Sequence, residues 1–233
     1  MTNEVLEILT NGEIKISGRL IDASNATLFG SVIFNEKALP IVYKPIAGER
    51  PLWDFPDGNL ASREVAAYRI SKHGFDLVPP TIKREGPFGL GAVQLWIDTP
   101  ENFDPISIGS SKRDEIRKMA LFDIVINNTD RKFGHILQDL EGRIYGCDHG
   151  VSLHTDWKLR TVIWQFAGMT LSGAERQLLA NLESAIRKDA LHLGDLLTES
   201  EILGIVERVQ KLHAENEFPT PDQDWPAVPW PPV

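Results

Sequence analysis

A single cysteine, Cys147, stands in 233 residues, so the chain can close no internal disulfide. That fits a reducing compartment. Long apolar runs are missing too. No stretch approaches the roughly 18 uninterrupted apolar residues of a membrane span, and the N-terminus lacks the apolar core of a signal peptide. These absences predict a cytoplasmic protein without a transmembrane segment. Positive charge is scarce: 24 Lys and Arg against 33 Asp and Glu leave a formal net charge of −9. An acidic surface repels phosphate backbones and anionic lipid, which argues against nucleic acid as a partner. The local cluster of Lys112, Arg113, Arg117 and Lys118 reads as a solvated helix face. No internal repeat is present.

What remains is the composition of a folded domain. A hydrophobic fraction of 42% supports a packed core, and 24% charged residues exclude global disorder. The length suits one domain or two small lobes that share a cleft.

The first hundred residues read mostly as strands. Ile14 and Ile16 alternate with polar neighbours. Two β-branched runs, 27–34 and 39–46, flank a hairpin loop at 35–38. Residues 47–58 read as a loop around Trp53-Asp54-Phe55, and 59–73 as a helix that Gly74 stops. A strand follows at 91–97. The Pro-, Asn- and Gly-bearing stretch 98–109 marks the lobe boundary. Beyond it helices dominate. Ser111 with Asp114, Ser172 with Glu175, and Thr198 with Glu201 each resemble a capping box, and Ile202, Ile205, Val206, Val209 and Leu212 form a helical stripe. Two short strands, 136–140 and 144–147, interrupt this half. The tail from Phe218 to Val233, rich in proline and bearing Trp225 and Trp230, cannot form a regular helix. It is either extended and disordered or packed as an arm on the domain. The expected fold is therefore α+β in two lobes: a strand-rich N-lobe over 1–97, a helical C-lobe over 98–216, and a Pro/Trp-rich tail over 217–233.

The densest polar cluster, Asn127 to His135, follows an apolar helix and precedes a strand, a usual place for reactive groups. A second acid, Asp148, follows the next hairpin. Phosphoryl transfer needs a carboxylate to orient a hydroxyl, another to hold a divalent metal, a further metal ligand, and a lysine fixed by a carboxylate to grip phosphates. Asp130, Asp148, His135, Lys44 and Glu64 are candidates for these roles. Singly, Lys44 is an ordinary strand-end lysine and Glu64 a solvated helix residue. Their order carries the argument.

That order resembles the protein-kinase-like superfamily. His135 lies five residues after Asp130, and Asp148 thirteen after His135. The wording is similar to phosphatidylinositol 3-/4-kinases, closest to the type II 4-kinases. It comprises Tyr43-Lys44-Pro45, Arg63-Glu64-Val65-Ala66-Ala67-Tyr68, Asn128-Thr129-Asp130-Arg131 and Asp148-His149-Gly150, over roughly residues 18–155. The chain also resembles short bacterial relatives of that superfamily. The resemblance implies ATP with Mg²⁺ or Mn²⁺ between the lobes. It implies that Lys44 contacts the α- and β-phosphates, and that Glu64 holds Lys44. Ser24-Asn25-Ala26-Thr27 would cover the phosphates, and Gln94-Leu95-Trp96-Ile97 would form the hinge whose backbone meets adenine. Asp130 would orient or deprotonate an acceptor hydroxyl on a small molecule, lipid or protein, and Asp148 would bind the metal. His135 replaces the usual asparagine, and imidazole suits Mn²⁺ better than Mg²⁺. The implied activity is a kinase-like phosphotransferase. Three other readings stand beside it: a nucleotide-binding pseudokinase or regulator, a nucleotidyl transferase on the same fold, and a metallohydrolase built on Asp148, His149 and His154.

Overall fold

The computed structural model describes residues 2–20, 25–222 and 226–233. Helix α1 (Thr2–Asn11) leads into a five-stranded antiparallel sheet of β1 (Glu13–Arg19), β2 (Leu28–Phe34), β3 (Lys37–Pro45), β4 (Thr81–Gly86) and β5 (Gly89–Leu95). The strand order is β1-β2-β3-β5-β4. Helix α2 (Leu60–Lys72) sits between β3 and β4 in the chain. The second half carries α3 (Pro105–Gly109), α4 (Asp114–Val125), the hairpin β6 (Ile136–Gln138) and β7 (Ile144–Gly146), α5 (Gly173–Arg187) and α6 (Glu199–Glu215). The fold is α+β and two-lobed: an antiparallel sheet packed by α1 and α2, followed by a helical half.

Period-two alternation along β3 sorts its side chains. Ile41 and Tyr43 are fully buried against α1, in a core with Leu9, Val32 and Val93. Val42 and Lys44 point the other way, into the cleft that they line. Helix α2 is capped by Asn59, whose side chain accepts from Ser62 N, and by Glu49, whose carboxylate accepts from Leu60 N and Ala61 N. Its apolar face joins α4, α5 and α6 in the main core. Arg63 of α2 pairs with Glu201 of α6 at 2.7 Å, both side chains nearly buried, and so ties the upper helix to the last one.

Several sequence expectations need correction. Helix α1 and strand β4 were not expected. The hairpin loop is two residues, Asn35 and Glu36, both at positive φ, and Lys37 and Ala38 belong to β3. Ser111 does not cap α4: Arg113 occupies the N-cap and makes no side-chain cap bond. The Ser172 and Thr198 capping boxes do form. In the tail, Trp225 lies outside the described residues. The described part packs as an arm: Phe218 is buried, Ala227 O accepts from Thr161 N and Trp164 Nε1, and Pro232 O accepts from Phe133 N.

Candidate active site

The cleft between the lobes holds two adjoining cavities. One, of about 450 Å³, is lined by Val42, Gln94, Ile97, Leu137 and Cys147 among others. The other, of about 520 Å³, is lined by Asn25, Ala26, Arg50, Glu64, Asp130 and Lys132 among others. Lys44, Thr27, His135 and Asp148 border both.

Lys44 sits where the cavities meet. Its Nζ pairs with Glu64 Oε1 and lies 2.9 Å from Asp148 Oδ1. Burial alone would depress the ammonium. The carboxylates of Asp148 and Glu64 outweigh burial and hold its pKa above the usual lysine value. Lys44 in turn holds the Asp148 carboxyl well below the usual carboxylate range. Asp148 adopts a left-handed backbone, φ 59, uncommon for a residue with a side chain. Two positions on, a Cβ at Gly150 would come within 3.1 Å of Leu60 Cβ, so glycine lets α2 approach this turn.

Asp130 stands on the loop after α4. Its backbone N donates to Asn128 Oδ1, and Lys132 Nζ lies 3.4 Å from its carboxylate. Burial raises its pKa, with Lys132 opposing. A carboxyl raised in this way is suited to orient or accept a hydroxyl proton.

Beneath the loop lies a buried ion pair. Arg131 and Asp123 have fully buried side chains, joined by Nε and Nη2 hydrogen bonds of 2.9–3.1 Å. Arg131 also donates to the carbonyls of His135 and Cys147, so it ties the loop to the segment that carries Asp148. Its Nη2 lies 2.7 Å from His149 Nε2. Guanidinium only donates, so Nε2 accepts and the ring proton sits on Nδ1. That Nδ1 is buried without a hydrogen-bond partner, 4.0 Å from Glu64 Oε2. Burial and then Arg131 push the His149 pKa well below its usual value.

The structure brings Lys44, Glu64, Asp130, His135 and Asp148 to one cleft. His135 Nε2 faces Asp148 Oδ2 at 3.6 Å, and burial lowers its pKa to about 4, so the ring is neutral at pH 7. Burial pushes the Cys147 thiol up to about 12, which makes it a poor nucleophile. Of the expected covering turn, Ser24 lies outside the described residues. Asn25, Ala26 and Thr27 line the cleft, but Ala26 N bonds to Gly48 O and Thr27 N to Asn25 O. In the expected hinge, Leu95 N bonds to Pro80 O and Trp96 N to Pro40 O. The hydrolase alternative fails on geometry. His149 Nε2 is taken by Arg131, and no group of three or more metal-binding side chains converges among the described residues.

Sequence reasoning missed Asp123 and the Glu49 cap, and it singled out the stretch that holds Arg131 and Lys132 without giving either a role. An acid inside the apolar run Met119 to Ile126 was the available signal for the first. A charge there survives burial only with a partner.

No protein-family profile matches the chain. Over 129 residues it is 29% identical to phosphatidylinositol 4-kinase gamma 4 of Oryza sativa subsp. japonica, which covers 47% of this chain but 23% of that protein. A solved structure, the proinflammatory kinase CtkA of Helicobacter pylori, is similar with a TM-score of 0.49 at 13% identity, across 88% of this chain and 93% of that one. Protein Rv2133c of Mycobacterium tuberculosis is 38% identical over 261 aligned residues, spanning 96% of this chain and 94% of the relative. The chain belongs to the family of that mycobacterial protein.

Proposed function

We propose that the chain is an ATP-binding, kinase-like phosphotransferase that moves the γ-phosphoryl group of ATP to a hydroxyl acceptor. The observation that carries this reading is Lys44, held by Glu64 of α2 at the border of the two cavities, with Asp130 and Asp148 on the opposite lobe. In this reading adenine occupies the cavity lined by Val42 and Leu137, and the phosphates reach Lys44. Asp130 orients the acceptor hydroxyl and takes its proton as the new P–O bond forms and ADP leaves. Lys132, beside Asp130, offsets charge on the transferred group. Positioning and electrostatics carry most of the rate.

The donor set fits a divalent ion that arrives with the nucleotide. Asp148 offers a half-exposed carboxylate and His135 a neutral imidazole close by. One or two protein ligands plus phosphate oxygens are the usual surroundings of Mg²⁺ in such sites. For His135 to add a nitrogen donor, which favours Mn²⁺, its Nδ1 gives up the 3.4 Å bond from Lys132 N and takes the ring proton from Nε2. When bound, the ion neutralises phosphate charge and polarises the γ-phosphoryl group.

The test is product analysis after incubation with ATP, a divalent metal and a panel of lipid, protein and small-molecule hydroxyl acceptors. ADP formation that Asp130→Asn abolishes is the expected result. AMP with pyrophosphate would replace the reading by nucleotidyl transfer. Bound, unconsumed ATP would replace it by a nucleotide-binding regulator.

A further inference from the structure

Gln94 stands in β5 opposite Val42 of β3 and opposite Thr81 of β4. It lines the first cavity although only 6% of its surface is exposed. Its Nε2 donates to Thr81 Oγ1 at 2.8 Å. The Thr81 hydroxyl gives its own proton to Pro79 O at 2.7 Å. Thr81 Oγ1 can then only accept from Gln94, which fixes the amide with its nitrogen toward Thr81. No donor among the described residues bonds Gln94 Oε1, and that atom is not among the buried polar atoms left without a partner. The carbonyl oxygen therefore keeps open surface, and the space that Gln94 borders is the cavity. The hinge backbone next to it offers less than expected, because the N–H groups of Leu95 and Trp96 are already bonded.

Resting on the nucleotide site proposed above, we infer that the Gln94 side-chain carbonyl reads the 6-position of the purine. It accepts a hydrogen bond from the 6-amino group of adenine. A 6-oxo purine sets oxygen against oxygen at the same place and leaves both acceptors unpaired. Flipping the amide would relieve this, but it turns Oε1 toward Thr81 Oγ1. Thr81 would then have to give up Pro79 O, a buried carbonyl contact. The Pro79–Thr81–Gln94 relay thus makes the amide a fixed acceptor, and Thr81 acts as a positioning residue that never touches the base.

The experiment is calorimetric titration of the full chain with the Mg²⁺ complexes of ATP, ITP and GTP. ITP isolates the 6-oxo change, and GTP adds the 2-amino group. Wild type is expected to bind ATP about tenfold or more tightly than ITP. Thr81→Val unlocks the amide and should bring ATP and ITP to within about threefold, mainly by improving ITP. Gln94→Leu should weaken ATP and leave ITP no weaker, since it removes the opposing carbonyl. Melting temperatures without ligand verify that each variant folds. If Thr81→Val does not fold, the Gln94→Leu arm decides alone. Equal binding of ATP and ITP by wild type overturns the inference, as does discrimination that survives both substitutions. If none of the three nucleotides binds wild type, the nucleotide site itself is wrong and the base-reading role falls with it.

Discussion

Lys44 and Asp148, separated by 104 positions in the chain, meet in an ammonium–carboxylate contact of 2.9 Å. The same ammonium holds Glu64, whose side chain is 2% exposed. One cation thus joins β3, α2 and the turn after β7. Lys44→Met leaves a buried carboxylate without its cation, at a cost of about 3 kcal/mol. Lys44→Met combined with Glu64→Gln removes the stranded charge and should lose less than Lys44→Met alone. Urea unfolding of the three proteins at pH 7.5 measures this. Equal stability of wild type and Lys44→Met would contradict the pairing.

The Arg131–Asp123 pair is wholly enclosed, so removing one partner is costly. Arg131→Leu is expected to lower unfolding free energy by about 3–5 kcal/mol. It also frees the carbonyls of His135 and Cys147 and the ring of His149. Arg131→Lys should rescue little, because an ammonium cannot match the forked contacts. Full rescue by lysine, read in chemical denaturation, would show that charge alone matters there.

Two buried histidines set an acid limit on stability. His135 is held at about 4 and His149 well below 6.5, whereas both take a proton near 6.5 in the unfolded chain. Between those values the unfolded chain binds more protons, so stability falls as pH drops below about 6.5. The slope approaches about 1.4 kcal/mol per pH unit for each histidine. Melting temperatures from pH 7.5 to 5.5 should fall, and His135→Asn should flatten the fall. An unchanged profile in the variant would place His135 in solvent.

The tail is structural. Deleting residues 226–233 strips the acceptors from Thr161 N, Trp164 Nε1 and Phe133 N. Each intramolecular hydrogen bond given up to water costs about 0.5–1.5 kcal/mol. Faster proteolysis around 161–164 and a lower melting temperature are expected. Unaltered proteolysis would show that the arm adds nothing.

How far these features were legible in the sequence depends on the range over which they are encoded. The Ser172 and Thr198 caps act across three residues, and both were readable. Ser111-x-x-Asp114 fits the same local pattern and fails, because the helix starts after Arg113 instead. Strand β4 was hidden by Lys83, Arg84 and Glu85, charges that tertiary partners accommodate: Lys83 reaches Ser62, and Arg84 reaches the carbonyls of Leu9 and Gly12 at the end of α1. Lys44, Glu64, Asp130, His135 and Asp148 were picked out by the resemblance of their order to the protein-kinase-like superfamily, and all five border the cleft or pair within it. The Gln94–Thr81–Pro79 relay was not, because its long-range link depends on the β-sheet register that sets Gln94 opposite Thr81.

The proposed function requires Lys44 and Asp148 to form a metal-dependent nucleotide site. The most direct measurement is thermal stabilisation by ATP with Mg²⁺ and with Mn²⁺, for wild type, Lys44→Met and Asp148→Asn. At about 100-fold above Kd, wild type should gain roughly 2.7 kcal/mol, a readily visible rise in Tm. The rise should require metal and vanish in both variants. No rise in wild type with either metal, or an equal rise in the variants, would contradict the account.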